Sequence, residues 1–193
     1  MGESLAIQLA SKSPRRAELL RQLGVDFDIV DIELDESILA GETPEDYVVR
    51  VSQEKALLGF ERSPVMPTLG SDTCVLVDGK VLGKPKDKLQ ALAYIEMLSG
   101  RGHEVLTAVA LCDEVEQGYR LSRTRVYFRP ITHDMAERYW ATGEPQDKAG
   151  GYGIQGYGAA FIQRIEGSYS GVMGLPLAET AELLEQFNLP YWR

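Results

Sequence analysis

Apolar positions switch along the chain between short continuous runs and helical spacing, and the order of those switches predicts the elements. A run over residues 4–10 predicts a buried strand. Leu19, Leu20 and Leu23 then share one face of a helix over residues 14–23, closed by Gly24. Weak alternation over residues 27–34 predicts a second strand. Thr43-Pro44-Glu45-Asp46 is a cap, a first-position proline and two first-turn acids, opening a helix to about Phe60. Residues 68–82 read as a hairpin around Asp78-Gly79. A helix over residues 88–98 follows, capped by Asp87 and closed by Gly100. Residues 104–112 and 119–129 predict long strands around an acidic turn, and Thr132 caps a helix running to Thr142 and Gly143. Residues 159–165 and the surroundings of Val172 read as final strands before a helix over residues 176–187. Hairpins and helices in this order predict an α/β fold with a mixed sheet. No linker, repeat or shift of composition cuts the chain, so residues 1–193 read as a single domain.

Composition narrows the classes of function. With 193 residues and 44% hydrophobic content, the chain can bury a sizeable core. No stretch approaches the roughly 18 apolar residues of a membrane span. The opening Met-Gly-Glu-Ser-Leu-Ala has no charged or long apolar export region, which predicts a cytoplasmic protein. Cys74 and Cys112 lie in apolar runs outside any zinc spacing and read as buried thiols. His103 and His133 are too few for a histidine-rich metal site, and neither sits in a nucleophile elbow. A net charge of −9 opposes a nucleic-acid surface, so any polyanion must meet locally concentrated cations.

Several residues stand where their chemistry is locally disfavoured. In Leu-Ala-Ser-Lys-Ser-Pro-Arg-Arg, residues 9–16, Ser13 suits an N-cap and Pro14 the first helical position. Arg15 and Arg16 then fall at the positive end of the helix dipole, where an anion is favoured. They read either as solvated arginines or as an anion site, with Ser11 either a loop serine or a further donor. Lys55 shares the stripe of Val48 and Val51, so its ammonium either snorkels to water or meets a partner in a cleft. Asp72 interrupts a strand-forming run, as a turn cap or as a working carboxylate able to orient water or hold a metal. Glu33, Asp35 and Glu36 form an acidic cluster, and Lys84-Pro85 a stiffened exit from the hairpin. Residues 150–158 hold five glycines in nine positions. Gly151-x-Gly153-x-x-Gly156 matches the dinucleotide fingerprint in letters only, since no strand precedes it and no helix follows. A backbone that approaches a ligand closely fits better.

The string over residues 9–16, Arg-Val-Ser-Gln-Glu-Lys-Ala at 50–56, Gly-Ser-Asp-Thr at 70–73 and Asp-Lys-Ala-Gly at 147–150 resemble the Maf family of nucleoside triphosphate pyrophosphatases. The resemblance continues to the C-terminal helix. It implies an elongated, twisted mixed sheet between two α/β lobes with a central cleft, and hydrolysis between the α and β phosphates. It implies Asp72 as proton acceptor, Glu36 and Asp72 as ligands of a divalent cation such as Mg²⁺ or Mn²⁺, and Ser11, Arg16, Lys55 and Lys84 on the phosphates. Arg15, Thr73 and Gln155 match the branch acting on dTTP and UTP, whereas the 7-methyl-GTP branch carries Trp, Gln and a Ser-Glu-Gly triplet there. Ser71, where several dTTP/UTP members have alanine, is a small departure. The resemblance further implies a homodimer, while the acidic charge and the lack of a long apolar run predict that it binds neither nucleic acid nor membrane. A non-catalytic nucleotide-binding regulator of septum formation is the competing expectation.

Overall fold

The computed structural model describes residues 6–192. Ser4 and Leu5 of the expected first strand, and the rest of the segment 1–5, lie outside the described residues. The elements are β1 (Ile7–Leu9), α1 (Pro14–Gln22), β2 (Phe27–Ile29), α2 (Pro44–Arg62), β3 (Thr68–Val77), β4 (Lys80–Leu82), α3 (Lys88–Leu98), β5 (Gly102–Cys112), β6 (Gln117–Phe128), α4 (His133–Ala141), β7 (Ile162–Glu166), α5 (Tyr169–Met173) and α6 (Leu177–Gln186). Strands and helices alternate and the sheet is mixed, as the sequence pattern predicts. Among the described residues no helix is long and apolar enough to cross a membrane.

The chain packs as two compact units. One holds the described residues up to Asp72, Thr107–Ser122 and those from Gly174 onward; the other holds Thr73–Leu106 and Arg123–Met173. Because β3, β5 and β6 each contribute to both, no single cut in the sequence separates them.

In the first unit the strand order is β2-β1-β3-β5-β6. β1 runs parallel to β2 and β3, with Ile7 opposite Phe27 and Gln8 opposite Thr68. Parallel neighbours require crossovers, which α1 and α2 supply. Ile7, Leu9, Leu20, Val48, Val51 and Leu69 are all buried, so the core explains the apolar runs. Thr43 caps α2, its Oγ1 accepting from the Asp46 N–H at 3.1 Å. Ser13 takes the N-cap position of α1 but makes no side-chain cap; its N–H instead donates to Ser11 Oγ at 3.2 Å. β2 is shorter than the expected 27–34. Its partner β1 ends at Leu9, whose carbonyl takes the last bond from the Val30 N–H, and the chain beyond is irregular.

In the second unit β4 folds back on β3 through Asp78 and Gly79, at φ 49° and 73°, the double left-handed geometry of a type I′ turn. Asp87 caps α3 by accepting from the Gln90 N–H at 2.8 Å, and Thr132 caps α4. Val75, Val77, Leu82, Ile95, Leu98, Val126 and Phe128 form the core of this unit. Two expectations fail here. Tyr157–Phe161 is a 3-10 turn, so the strand begins only at Ile162. Val172 lies in α5 instead of a strand, because Ser168 caps a helix there: its Oγ accepts from the Gly171 N–H at 2.9 Å and its carbonyl from the Val172 N–H.

Candidate active site

The first unit gathers five of the predicted residues. α2 passes over β3 at Gly70, where an added Cβ would lie 2.4 Å from the Ser52 carbonyl oxygen and 2.6 Å from the Ala56 nitrogen. Only a glycine permits that approach. It brings Lys55, one turn along α2, above Asp72, two residues further along β3. Both residues are buried, at 6% and 5% exposure. Lys55 Nζ lies 2.9 Å from Asp72 Oδ1 and 2.8 Å from Glu36 Oε1, so one ammonium joins the two carboxylates. A lysine on an apolar stripe is thereby paired instead of snorkelling.

Within the acidic cluster the structure separates the roles. Asp35 is engaged locally, accepting from the Ser37 N–H and hydroxyl at 3.0 and 2.6 Å. Glu36 is the member that reaches Lys55. Arg50 ties down the following segment through Glu42 and the Ser37 carbonyl, the latter at 3.0 Å.

Arg16 reaches the same neighbourhood from the start of α1. Its Nε donates to the Gly174 carbonyl at 2.8 Å and its Nη1 to Ser11 Oγ at 3.3 Å. Ser11 therefore accepts twice, from Arg16 and from the Ser13 N–H, which leaves its own proton to donate. Burial lowers the Arg16 pKa, while Asp72 and Glu36 pull it up and Arg15 adds to the lowering. Burial likewise pushes the Asp72 carboxyl above its ordinary range; Lys55 and Arg16 oppose that rise and Glu36 reinforces it. Among the described residues Asp72 Oδ2 is buried without a hydrogen-bond partner.

That orphaned oxygen bears on a divalent cation. Among the described residues no cluster of three or more His, Cys, Asp or Glu is arranged to hold a metal. Mg²⁺, however, is commonly held by one or two carboxylates together with substrate phosphates and water. Asp72 Oδ2 and the half-exposed Glu36 carboxylate fit such a donor set.

The remaining predicted residues are placed as follows. Arg15 is half-buried in the first turn of α1. Thr73 continues β3 into the second unit directly after Asp72. Lys84 is exposed on the segment after β4, which the second unit ties to the glycine-rich stretch through the Gly150 N–H and the Gly83 carbonyl, at 3.0 Å. Gln155 is exposed at a turn inside that stretch.

Sequence reasoning passed over Gly70 and Gly174 and took Ser71 only as a small departure, yet all three build this site. Gly70 sets the approach of α2. Ser71, fully buried, shares its one hydroxyl proton between the carbonyls of Ala108 at 2.8 Å and Gly174 at 3.0 Å. Gly174, at φ +118°, presents one carbonyl to both Ser71 and Arg16. A glycine and a serine directly before an in-strand aspartate were the available signal.

The fold resembles that of a HAM1 protein from Coxiella burnetii, with a TM-score of 0.50 and 16% identity over 96% of this chain and 98% of the other. That likeness defines the fold class, a mixed α/β sheet of the HAM1 type. The family model described as Maf-like protein matches residues 6–187, and the chain belongs to that family. The dTTP/UTP pyrophosphatase of Methylobacillus flagellatus is 53% identical over 92% of this chain and 90% of its own length. That of Vibrio parahaemolyticus is 50% identical over 97% and 100%, and that of Saccharophagus degradans 47% over 98% and 92%.

Proposed function

We propose that the protein is a nucleoside triphosphate pyrophosphatase that hydrolyses dTTP and UTP, and pyrimidine analogues modified on the base, to the monophosphate and pyrophosphate. The observation that carries the reading is Asp72: a buried carboxylate beside Lys55 and Glu36, with one oxygen unpartnered. The names of the relatives, at about half identity over nearly the whole chain, support the substrate.

In this reading Asp72 takes a proton from water as the water oxygen bonds to the α-phosphorus. The bond from that phosphorus to the bridging oxygen breaks, and pyrophosphate leaves with the electron pair. Arg16, Ser11 and Lys55 bind and orient phosphate oxygens, joined by Lys84, and their charge stabilises the leaving group. Asp72 and Glu36 would hold a divalent cation, Mg²⁺ or Mn²⁺, which when bound neutralises phosphate charge. Arg15, Thr73 and Gln155 are assigned to the base: an amide pairs with both a carbonyl and a ring N–H of a pyrimidine. A regulator that only binds nucleotide has no use for a carboxylate poised in this way. We further read the protein as a cytoplasmic homodimer.

The test is a pyrophosphate-release screen over normal and modified nucleotides with Mg²⁺ or Mn²⁺. UTP and dTTP should turn over faster than ATP and GTP. Binding without turnover would return the protein to the regulator class.

A further inference from the structure

One carboxylate organises the glycine-rich stretch of the second unit. Glu144 opens the 3-10 turn Glu144–Asp147. Its Oε1 accepts from the Tyr139 hydroxyl at 2.7 Å and the Gly158 N–H at 2.9 Å, and its Oε2 accepts from the Tyr157 N–H at 2.7 Å. Tyr139 Oη in turn accepts from the Gly153 N–H at 3.0 Å. The amides on both sides of Ile154-Gln155-Gly156 are thus held by a single Glu–Tyr pair. The glycines are matched to it. An added Cβ at Gly156 would fall 2.1 Å from Glu144 Oε2, and one at Gly158 would fall 2.7 Å from Tyr139 Oη. The carboxylate occupies the space that a side chain at position 156 needs. Burial raises the Glu144 carboxyl, but the bonds from Tyr139, Gly158 and Tyr157 outweigh it, so its pKa is lowered overall and the acceptor stays ionised.

We propose that Glu144 is a positioning residue for nucleobase selection: by holding the Tyr157 and Gly158 amides, and through Tyr139 that of Gly153, it orients the turn that presents Gln155. This rests on the reading of Gln155 as a base-reading residue. Gln155 is exposed and lies in neither helix nor strand, so its orientation depends on its turn. A turn that must be ordered on binding weakens recognition of the base, since the ordering entropy is lost at that moment. The chemistry at Asp72 does not pass through this turn. Removing Glu144 therefore raises KM and erodes selectivity while kcat is kept.

The experiment is steady-state kinetics of the full chain with UTP and ATP, alongside thermal melting, for Glu144→Ala, Glu144→Gln, Gln155→Ala and the Glu144→Ala/Gln155→Ala pair. Glu144→Ala should raise KM for UTP about tenfold with kcat changed less than about threefold. Its preference for UTP over ATP should fall to that of Gln155→Ala, and the pair should be no worse than either alone. Glu144→Gln keeps one acceptor oxygen and should recover part of the loss. Gly156→Ala displaces the carboxylate without altering it and should give the same KM pattern, so the idea stands or falls even if Glu144→Ala does not fold. A preference lost in Gln155→Ala but kept in Glu144→Ala or Gly156→Ala, or effects that add in the pair, would overturn the proposal. A preference unchanged in Gln155→Ala would instead remove the reading of Gln155, and the proposal with it, a failure visible in that arm alone.

Discussion

Asp72 stands between burial, which raises its pKa, and two cations, which lower it. The base form exists only above that pKa, so kcat/KM should fall on the acid side as Asp72 takes up a proton. Lys55→Met removes the largest lowering influence, so the acid limb should move to higher pH. A pH–rate profile decides this, and a limb unmoved in Lys55→Met would take the role of base away from Asp72. Asp72→Asn should lower kcat by about 10²–10⁴-fold while nucleotide binding persists; turnover within a few-fold of wild type would make Asp72 structural. Ser71 makes a separate point. Its neighbours in sequence suggest a small residue of no consequence, yet its hydroxyl serves two buried carbonyls. Ser71→Ala should cost about 1–3 kcal/mol in urea melts, the usual range for a buried group left unsatisfied. An unchanged midpoint would show that both carbonyls are satisfied without Ser71.

At the scale of elements, the contact of α2 with β3 sets the site. Gly70→Ala would push a methyl into the backbone of α2, which cannot rotate away, costing about 1–3 kcal/mol as overpacking does. Because the same shift carries Lys55 from Asp72, activity should fall further than the melting temperature implies. Comparing kcat well below the melting transition with the melt itself tests this; full activity in a destabilised variant would contradict it. The segment before α2 depends on Arg50. The Glu42 carboxyl, held by Arg50, drops to about 2. A lowered carboxylate stabilises the fold above its ordinary range and loses that contribution as pH falls toward about 2. Arg50→Ala should therefore speed hydrogen exchange over residues 37–42, next to Glu36, at neutral pH. Exchange in that variant as slow as in wild type at the same neutral pH would show that another contact holds the segment.

Across the whole molecule, legibility followed the range of the interactions. Caps and turn residues act within four positions, so Thr43, Asp87, Thr132 and Asp78-Gly79 announced their elements correctly. Ser13 took its expected place without a side-chain cap, while its N–H donates to Ser11 Oγ. β2 came out short because its length is set by β1, a partner distant in sequence. The apolar Gly-Val-Met around Val172 suits a strand by composition, but the Ser168 hydroxyl, three residues before Gly171, caps a helix there. The division into two units left no mark, since three strands run through both. Among site residues, Lys55 and Asp72 were legible as misplaced charges. Gly70, Gly174 and Glu144 were not, because their roles lie in contacts across long loops or between a carboxylate and distant amides.

The central claim is that water activated by Asp72 attacks the α-phosphorus. Hydrolysis of UTP in ¹⁸O-labelled water, with products separated and weighed by mass spectrometry, tests it directly. The account predicts one ¹⁸O in the uridine monophosphate and none in the pyrophosphate. Label in pyrophosphate, or uridine diphosphate with labelled orthophosphate as the first products, would contradict it.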